Sequence, residues 1–442
     1  MGAVGRGVLS AVRKKAGLAG GGAAVDLALV AAANLSFGVS QWVMFWIVAR
    51  TNAMSVAGDF ALALALVVPV FMVSNLGLRP YLSSVPLSGG VNEGTVLGVR
   101  LVTTAAALAV LVGVSVLGDV SGLMVAGLGV GKAGEAVGDI CMGILHRRSL
   151  FRRNSVNVVG RGVAGIAGFM GGLYLGGSVG ACWGYGLLTC LAVAMVEVRS
   201  VVSLPGCNAG DSAVRWAGAW AVLTRSAPLG VVGILLSVVP LVPRWVLKDE
   251  MGIEAVAEYT AMYQVVQVGL VASVSVGQYL APLFRVAFST GGGRVGVMAF
   301  AGGGFFIIGS VLAAGVAAVS GLDVMGWLYG AAYSGDGGLL GLMLMAGGVA
   351  CAGNVLGFAV TAGGERVTQV WLQALVLVVC VGFNVALVAS MGVAGAVWSY
   401  CVVSAVSFGG LAVLFERLRR KVEVGGEVVA AHGHVGVRRR PE

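Results

Sequence analysis

Charged residues are scarce in this sequence. They make up 11% of its 442 residues, whereas soluble domains average about 25%. Hydrophobic residues account for 58%, and the mean hydropathy is +0.96. This balance excludes a soluble globular protein and a disordered low-complexity chain. It predicts a polytopic membrane protein, in which the 73 glycines would let neighbouring helices pack closely.

Histidines and paired cysteines are also rare. The chain has three histidines and seven cysteines, and no two cysteines have the C-x-x-C spacing. Metal sites and disulfide frameworks need such clusters. We therefore expect no metal ion and no cofactor, and we interpret the cysteines as small packing residues.

A phosphate-binding loop is suggested by one stretch only. The run GLGVGKAGEAVGD (127–139) has the G-x-G-x-x-G spacing of a dinucleotide loop. Such a loop needs a strand before it and a βαβ unit around it, and the neighbouring sequence is a long apolar run instead. A P-loop also needs Ser or Thr after its lysine, where this chain has Ala133 after Lys132. We interpret these glycines as packing positions on a membrane helix.

Long apolar runs dominate the sequence. About 20 apolar residues suffice to cross a hydrocarbon core roughly 30 Å thick. We predict an all-α protein with twelve transmembrane helices, at 24–49, 57–79, 95–118, 121–145, 155–177, 179–199, 222–247, 255–284, 294–320, 337–362, 367–390 and 392–418.

Lysine and arginine are distributed unevenly between the predicted connections. With both termini in the cytoplasm, the outer side holds only Arg50, Arg244 and Lys248, and the remaining basic residues lie at the cytoplasmic side or within helices. This asymmetry predicts a multi-pass protein of the cell membrane with both termini inside. The net charge of +9 then favours anionic membrane lipids as partners, and we expect no nucleic acid.

The predicted helices divide into two sets of six. The stretch SLPGCNAGDSAVRW (203–216) has no long apolar run and predicts a linker. We expect a basic N-terminus (1–23), a six-helix lobe (24–202), the linker (203–221), a second six-helix lobe (222–420) and a flexible cytoplasmic tail (421–442).

Three charges fall within the fourth predicted helix. Lys132, Glu135 and Asp139 lie within an arc of roughly 60° on one helix face. Facing lipid, they would cost on the order of 8–10 kcal/mol, so they must face protein or a watery cavity. In one interpretation Lys132 simply neutralises the two carboxylates. In the other, the three residues line a transport path, with the carboxylates toward the cytoplasm.

Further polar residues lie at the ends of predicted helices. Each arginine among them is either a headgroup anchor or part of the same path. These polar residues are Arg161 at the start of the fifth helix, Arg225 at the start of the seventh, Asn75 and Arg79 at the end of the second, and Arg50 and Arg244 at the outer ends of the first and seventh.

Several of these residues stand in a recognisable order. The run FMVSNLGLR (71–79), then Lys132, Glu135, Asp139 and Gly143 ahead of His146-Arg147-Arg148, then APLG (227–230) and VPR (242–244), resemble bacterial oligosaccharide flippases. These flippases belong to the multidrug/oligosaccharidyl-lipid/polysaccharide exporter superfamily. One departure is His146, where the family pattern leads us to expect glutamine.

The resemblance implies a specific architecture and cargo. It implies two six-helix lobes around a central cavity that opens alternately to either side and turns over a polyprenyl-diphosphate-linked oligosaccharide. Pathway glycosyltransferases and a polysaccharide polymerase are then expected partners.

The resemblance also suggests roles for the candidate residues. Lys132, Arg161 and Arg225 would bind the diphosphate from the cytoplasmic side, and Arg50 and Arg244 would receive the headgroup outside. Asn75 and Arg79 would join the substrate site. Glu135 and Asp139 are candidates for coupling a proton or sodium ion to the cycle.

Two alternatives remain. A multidrug and toxic-compound extrusion antiporter would share the architecture, but its cavity should be acidic or aromatic. A membrane-embedded polymerase or ligase would need a long outer loop, and no predicted outer connection exceeds about 20 residues. The sequence offers no nucleophile–base pair, so we expect no enzymatic activity.

Overall fold

The computed structural model describes residues 21–79, 82, 93–117, 121–148, 150–204, 216–289, 295–319, 323–335 and 337–433. Within these ranges the chain is helical and forms no strand. The α-helices are α1 (Gly21–Thr51), α2 (Met54–Asn75), α3 (Glu93–Leu117), α4 (Gly122–Arg147), α5 (Phe151–Ala192), α6 (Arg199–Val202), α7 (Trp216–Val238), α8 (Val242–Met251), α9 (Ile253–Ser289), α10 (Val295–Val319), α11 (Val324–Tyr329), α12 (Gly337–Ala362), α13 (Arg366–Met391) and α14 (Val393–Gly433).

The helices of the described ranges account for twelve membrane crossings. Nine segments are long and apolar enough to span a membrane, and one of them, Phe151–Val202, contains 52 residues and turns back on itself, which makes ten crossings. Helices α4 and α7, which match the fourth and seventh predicted spans, bring the count to twelve. The predicted fold class, an all-α polytopic membrane protein with two six-helix lobes, is therefore confirmed.

The turn within α5 is made by glycine. Gly177 has a φ of 61°, in the left-handed region that a side chain disfavours. The two arms of α5, 151–175 and 178–192, then run against each other with almost no side chain between them. A Cβ on Gly172 would clash with the backbone of Gly180, and one on Gly168 would clash with Gly184. The predicted fifth and sixth helices are thus a tight hairpin.

Several boundaries differ from the sequence predictions. The seventh span is broken, because α7 ends at Val238 and a short turn separates it from α8, where Pro243 occupies the first turn. Helix α7 begins at Trp216, inside the predicted linker. The last helix continues to Gly433, twelve residues beyond Lys421 and into the segment predicted as the tail.

Each lobe has its own packing, and the lobes also contact each other. In the N-terminal lobe α5 packs on α1 and α4, and in the C-terminal lobe α12 packs on α9, α10 and α14. Between the lobes, α9 contacts α1 and α2, and α7 contacts α2. One apolar core includes residues of both lobes, among them Phe45, Phe60, Tyr259 and Met343. Buried polar residues therefore lie inside a largely apolar bundle.

Candidate functional site

The glycines of α4 hold it against the second arm of α5. A Cβ on Gly131 would overlap the ring of Tyr185, and one on Gly134 would lie 3.0 Å from Sγ of Cys190. Small residues at such spacing let membrane helices approach closely. The prediction that the glycines of the run 127–139 are packing positions is confirmed. This packing places the charges of α4 inside the lobe.

Lys132 lies in the first of three polar clusters. Its Nζ is 2.7 Å from Oε2 of Glu135 and 3.3 Å from Oε1 of Gln41 on α1. Gln41 donates its amide to Glu135 at 2.9 Å, and the hydroxyl of Tyr185 donates to the same carboxylate oxygen. The cluster joins α1, α4 and α5, and the Lys132 side chain is 16% exposed. Lys132 is thus neutralised by Glu135 and faces protein rather than lipid.

Asp139 belongs to a second cluster, four residues after Glu135 on α4. Its Oδ1 is 3.0 Å from Nη1 of Arg79, and its Oδ2 is 3.7 Å from Nη2 of Arg100. Arg100 is fully buried and also donates to Oδ1 of Asn75 at 2.6 Å. The interpretation in which Lys132 neutralises both carboxylates is therefore wrong for Asp139, whose partners are two arginines.

The third cluster is a buried ion pair between the first arm of α5 and the π-helical turn that follows its second arm. Nη1 of Arg161 is 3.3 Å from Oε1 of Glu197, and these side chains are 6% and 2% exposed. The guanidinium also lies over the ring of Phe37, 4.9 Å from its centre. A Cβ on Gly138 of α4 would overlap Nη1 of Arg161, so glycine is needed there. The sequence prediction that Arg161 starts its helix was wrong, because α5 begins ten residues earlier, at Phe151.

Glu197 lies in an unusual stretch of backbone. Residues Val193–Val198 form a π-helical turn between α5 and α6. Such turns are rare in proteins, and those that occur frequently lie at functional sites. The turn directs Glu197 into the lobe, where Oε1 makes no hydrogen bond with the described residues.

Arg50 lies at the predicted outer end of α1 and binds the other lobe. Its Nη1 donates to the backbone oxygen of Trp327 at 3.0 Å. One and two turns earlier on α1, Trp46 donates to the oxygen of Leu328 at 2.7 Å and Trp42 donates to the hydroxyl of Tyr329 at 3.1 Å. We call these three contacts the outer latch. One N–H group of the exposed Arg50 is used in this contact, and its predicted headgroup-receiving role stays a prediction.

Arg244 is the buried cation of the C-terminal lobe. It is 6% exposed, and its guanidinium lies 5.7 Å from the ring centre of Tyr263. Its Nε and the hydroxyls of Tyr259 and Tyr400 make no hydrogen bond with described residues. No carboxylate of the described ranges forms an ion pair with it. Arg244, on the short helix α8, thus lies among tyrosine side chains and has no carboxylate partner within the described residues.

The structure brings together most of the predicted residues of the N-terminal lobe, but it keeps Arg50 and Arg244 apart from them. Arg225 lies on α7, and its side chain is outside the described part of the structure. Among the described residues no group of three His, Cys, Asp or Glu side chains could hold a metal ion.

Four residues of these clusters were not singled out from the sequence. Arg100 and Glu197 are single charges within apolar runs, which is a usable signal. Gln41 and Tyr185 contact Glu135 from 94 and 50 residues away, and no local pattern predicts this.

Comparison with known proteins identifies the fold. No protein-family model matches the chain, and no curated relative matches it. Among solved structures, a multidrug resistance MATE family transporter of the MOP superfamily in an inward-facing conformation has a TM-score of 0.68 at 16% identity, over 89% of this chain and 94% of that one.

Two further solved structures have the same fold. The MATE transporter VcmN of Vibrio cholerae has a TM-score of 0.64 at 12% identity, covering 90% of this chain and 97% of its own. A MOP superfamily transporter from Pyrococcus furiosus has a TM-score of 0.65 at 13% identity, covering 90% and 95%. That protein is described as having a binding pocket of reverse polarity that suggests a different function. At these identities the similarity establishes a shared fold.

Proposed function

We propose that this chain is a membrane transporter that moves an anionic cargo by alternating access, and that the cargo is a polyprenyl-diphosphate-linked oligosaccharide. The fold it shares with MATE and MOP superfamily transporters supports the transport part of this proposal. The choice of an anionic cargo rests on the charges inside the bundle.

The observation that carries the proposal is an excess of positive charge on the buried Arg100 and Arg244 and the part-buried Arg79. Arg79 and Arg100 share one carboxylate, that of Asp139. Arg244 has none within the described residues. An unpaired charge in an apolar interior costs several kcal/mol, which a bound anion would offset. Guanidinium groups bind phosphate oxygens in bidentate geometry, so a diphosphate suits these arginines.

The clusters suggest how cargo and coupling ion would be handled. In this proposal Arg79, with Arg100, and later Arg244 bind the diphosphate in successive steps. Lys132 joins them once a coupling cation binds at Glu135, because this cation would replace Lys132 in its 2.7 Å ion pair. Glu135 and Asp139 would then be the coupling carboxylates, as expected from the sequence.

The proposed setting is the cytoplasmic membrane with both termini inside. Glycosyltransferases that build the oligosaccharide and a polymerase that extends it would act before and after this transporter. Neighbouring genes for such enzymes would support the assignment.

A second candidate function is that of a MATE-type antiporter for small cationic compounds. The neutralised state of Lys132 favours it, because a paired lysine does not attract an anion. Glu258 on α9 also favours it, since this carboxylate is half-buried and forms no ion pair among the described residues. Such a carboxylate suits a cationic substrate.

Transport by the purified protein in proteoliposomes distinguishes the two functions. The vesicles would be loaded in turn with a fluorescent polyprenyl-diphosphate oligosaccharide and with a cationic dye, and export of each would be followed. We expect oligosaccharide translocation that Arg79→Gln lowers at least about tenfold, the loss of one charge-assisted contact. The exposed Arg285→Gln variant is the control. Dye export without oligosaccharide translocation would overturn the proposal in favour of the antiporter.

A further inference from the structure

A cavity lies at the predicted cytoplasmic end of α5, outside the three polar clusters. It has a volume of about 500 Å³ and is lined by Leu150, Phe151, Arg152, Arg153, Val156, Asn157 and Ser200. Ligand pockets typically measure 300–1,000 Å³, so a lipid headgroup fits. The cavity opens between the first turns of α5 and the short helix α6.

Asn157 is the feature of this cavity that most needs a ligand. The residue is 5% exposed, and its amide Nδ2 makes no hydrogen bond with the described residues. Leaving a buried amide unsatisfied costs about 1–3 kcal/mol. A hydrogen-bond acceptor in the cavity would remove this cost.

The other polar groups around the cavity are also donors. Arg152 and Arg153 are exposed and form no ion pair with described residues, and Nη2 of Arg153 donates to Oγ of Ser203 at 3.2 Å. Leu150 gives α5 no side-chain cap, so the first backbone N–H groups of this long helix lack intrahelical partners. A helix N-terminus of this kind favours an anion.

One side of the cavity continues into an apolar surface. Val156, Val159 and Val163 follow one another along the outer face of α5 and are 64%, 40% and 61% exposed. In a membrane this face contacts acyl chains. A molecule with a phosphate and hydrocarbon chains would therefore satisfy both parts of the site.

We propose that this cavity is a phosphate-binding site, occupied by the headgroup of an anionic phospholipid whose chains lie along Val156, Val159 and Val163. Asn157 and the N-terminus of α5 donate to the phosphate, and Arg152 and Arg153 balance its charge. The site is separate from the proposed transport path and stands whether or not the cargo assignment is right.

Binding of short-chain lipids to the full-length protein in detergent tests this proposal. The titrants are dioctanoyl phosphatidylglycerol, dioctanoylglycerol without phosphate, and glycerol phosphate without chains. The variants are Arg152→Gln/Arg153→Gln and Asn157→Leu, with the exposed Arg285→Gln of the other lobe as control. We expect phosphatidylglycerol alone to bind well, and about tenfold more weakly in both cavity variants, which corresponds to one lost charge-assisted bond.

Asn157→Leu has a second readout that a merely structural role would not give. Leucine has a similar size to asparagine and lacks its unsatisfied amide. The lipid-free variant should therefore be at least as stable as the wild type while binding is lost. Equal binding of glycerol phosphate would assign the same site to a free phosphate compound. Equal affinity of all variants for phosphatidylglycerol, or equal binding of dioctanoylglycerol, would overturn the proposal.

Discussion

The buried pair of Arg161 and Glu197 gives the sharpest test of how the N-terminal lobe is held together. Replacing Glu197 by Gln removes one charge and leaves the 6%-exposed Arg161 without its partner. Breaking a buried ion pair in this way costs about 3–5 kcal/mol. The double variant Arg161→Met/Glu197→Leu removes both charges and should lie within about 1 kcal/mol of the wild type, since apolar replacement of a whole pair is often neutral.

Gly138 provides an independent perturbation of the same pair. In the wild type the Cβ of Gly138→Ala would overlap Nη1 of Arg161 and lie 2.8 Å from Oε2 of Glu197, so the pair must separate. We expect a loss comparable to that of Glu197→Gln. In the Arg161→Met/Glu197→Leu background the same change should be neutral or stabilising, because alanine favours a helix over glycine by about 1 kcal/mol.

Reversible unfolding in mixed micelles measures all of these free energies. Gly160→Ala is the matched control, because nothing lies within 4 Å of that position and the change should not destabilise. An equal loss of stability for Gly138→Ala in both backgrounds would show that the change does not act by separating Arg161 and Glu197. A Glu197→Gln variant as stable as the wild type would contradict the expected cost of breaking the ion pair.

Two further predictions concern the ends of the bundle. Trp46→Phe removes the 2.7 Å outer-latch bond to Leu328, which is worth about 1 kcal/mol. Cysteine labelling between the lobes on the outer face should therefore rise about fivefold. The lipid-facing variant Trp371→Phe should leave the labelling unchanged, and equal labelling in both variants would contradict the latch. At the other end, Lys421 donates to Glu365 at 2.8 Å and holds the pKa of that carboxyl below its ordinary value. The contact is therefore present at neutral pH and is lost as pH falls through and below about 4.3. Mobility of a spin label on α14 close to Lys421 should therefore rise in acid in the wild type but not in Glu365→Gln; a parallel rise in both would contradict this assignment.

The fold could be predicted from the sequence because apolar runs of about 20 residues mark most of the places where a chain crosses a membrane. All twelve predicted spans have a helical counterpart in the described ranges. The errors occurred where apolar runs continue through a break. The seventh span, for example, is interrupted near Pro243 although its hydropathy is not.

The site was predicted less completely. The sequence placed Lys132, Glu135 and Asp139 inside the lobe, because charges on an apolar helix cannot face lipid. It did not show that Glu135 and Asp139 belong to different clusters. That separation depends on Arg100 and Tyr185, which reach α4 from distant parts of the chain through tertiary packing.

In the proposed function, buried arginines of this bundle bind a negatively charged diphosphate. The most direct measurement is the affinity of the purified protein for a short-chain prenyl-diphosphate sugar, compared between wild type, Arg244→Gln and the exposed control Arg285→Gln. We expect Arg244→Gln to weaken binding about tenfold or more and Arg285→Gln to leave it unchanged. Equal affinity of all three proteins, or displacement of the sugar by a cationic dye, would contradict it.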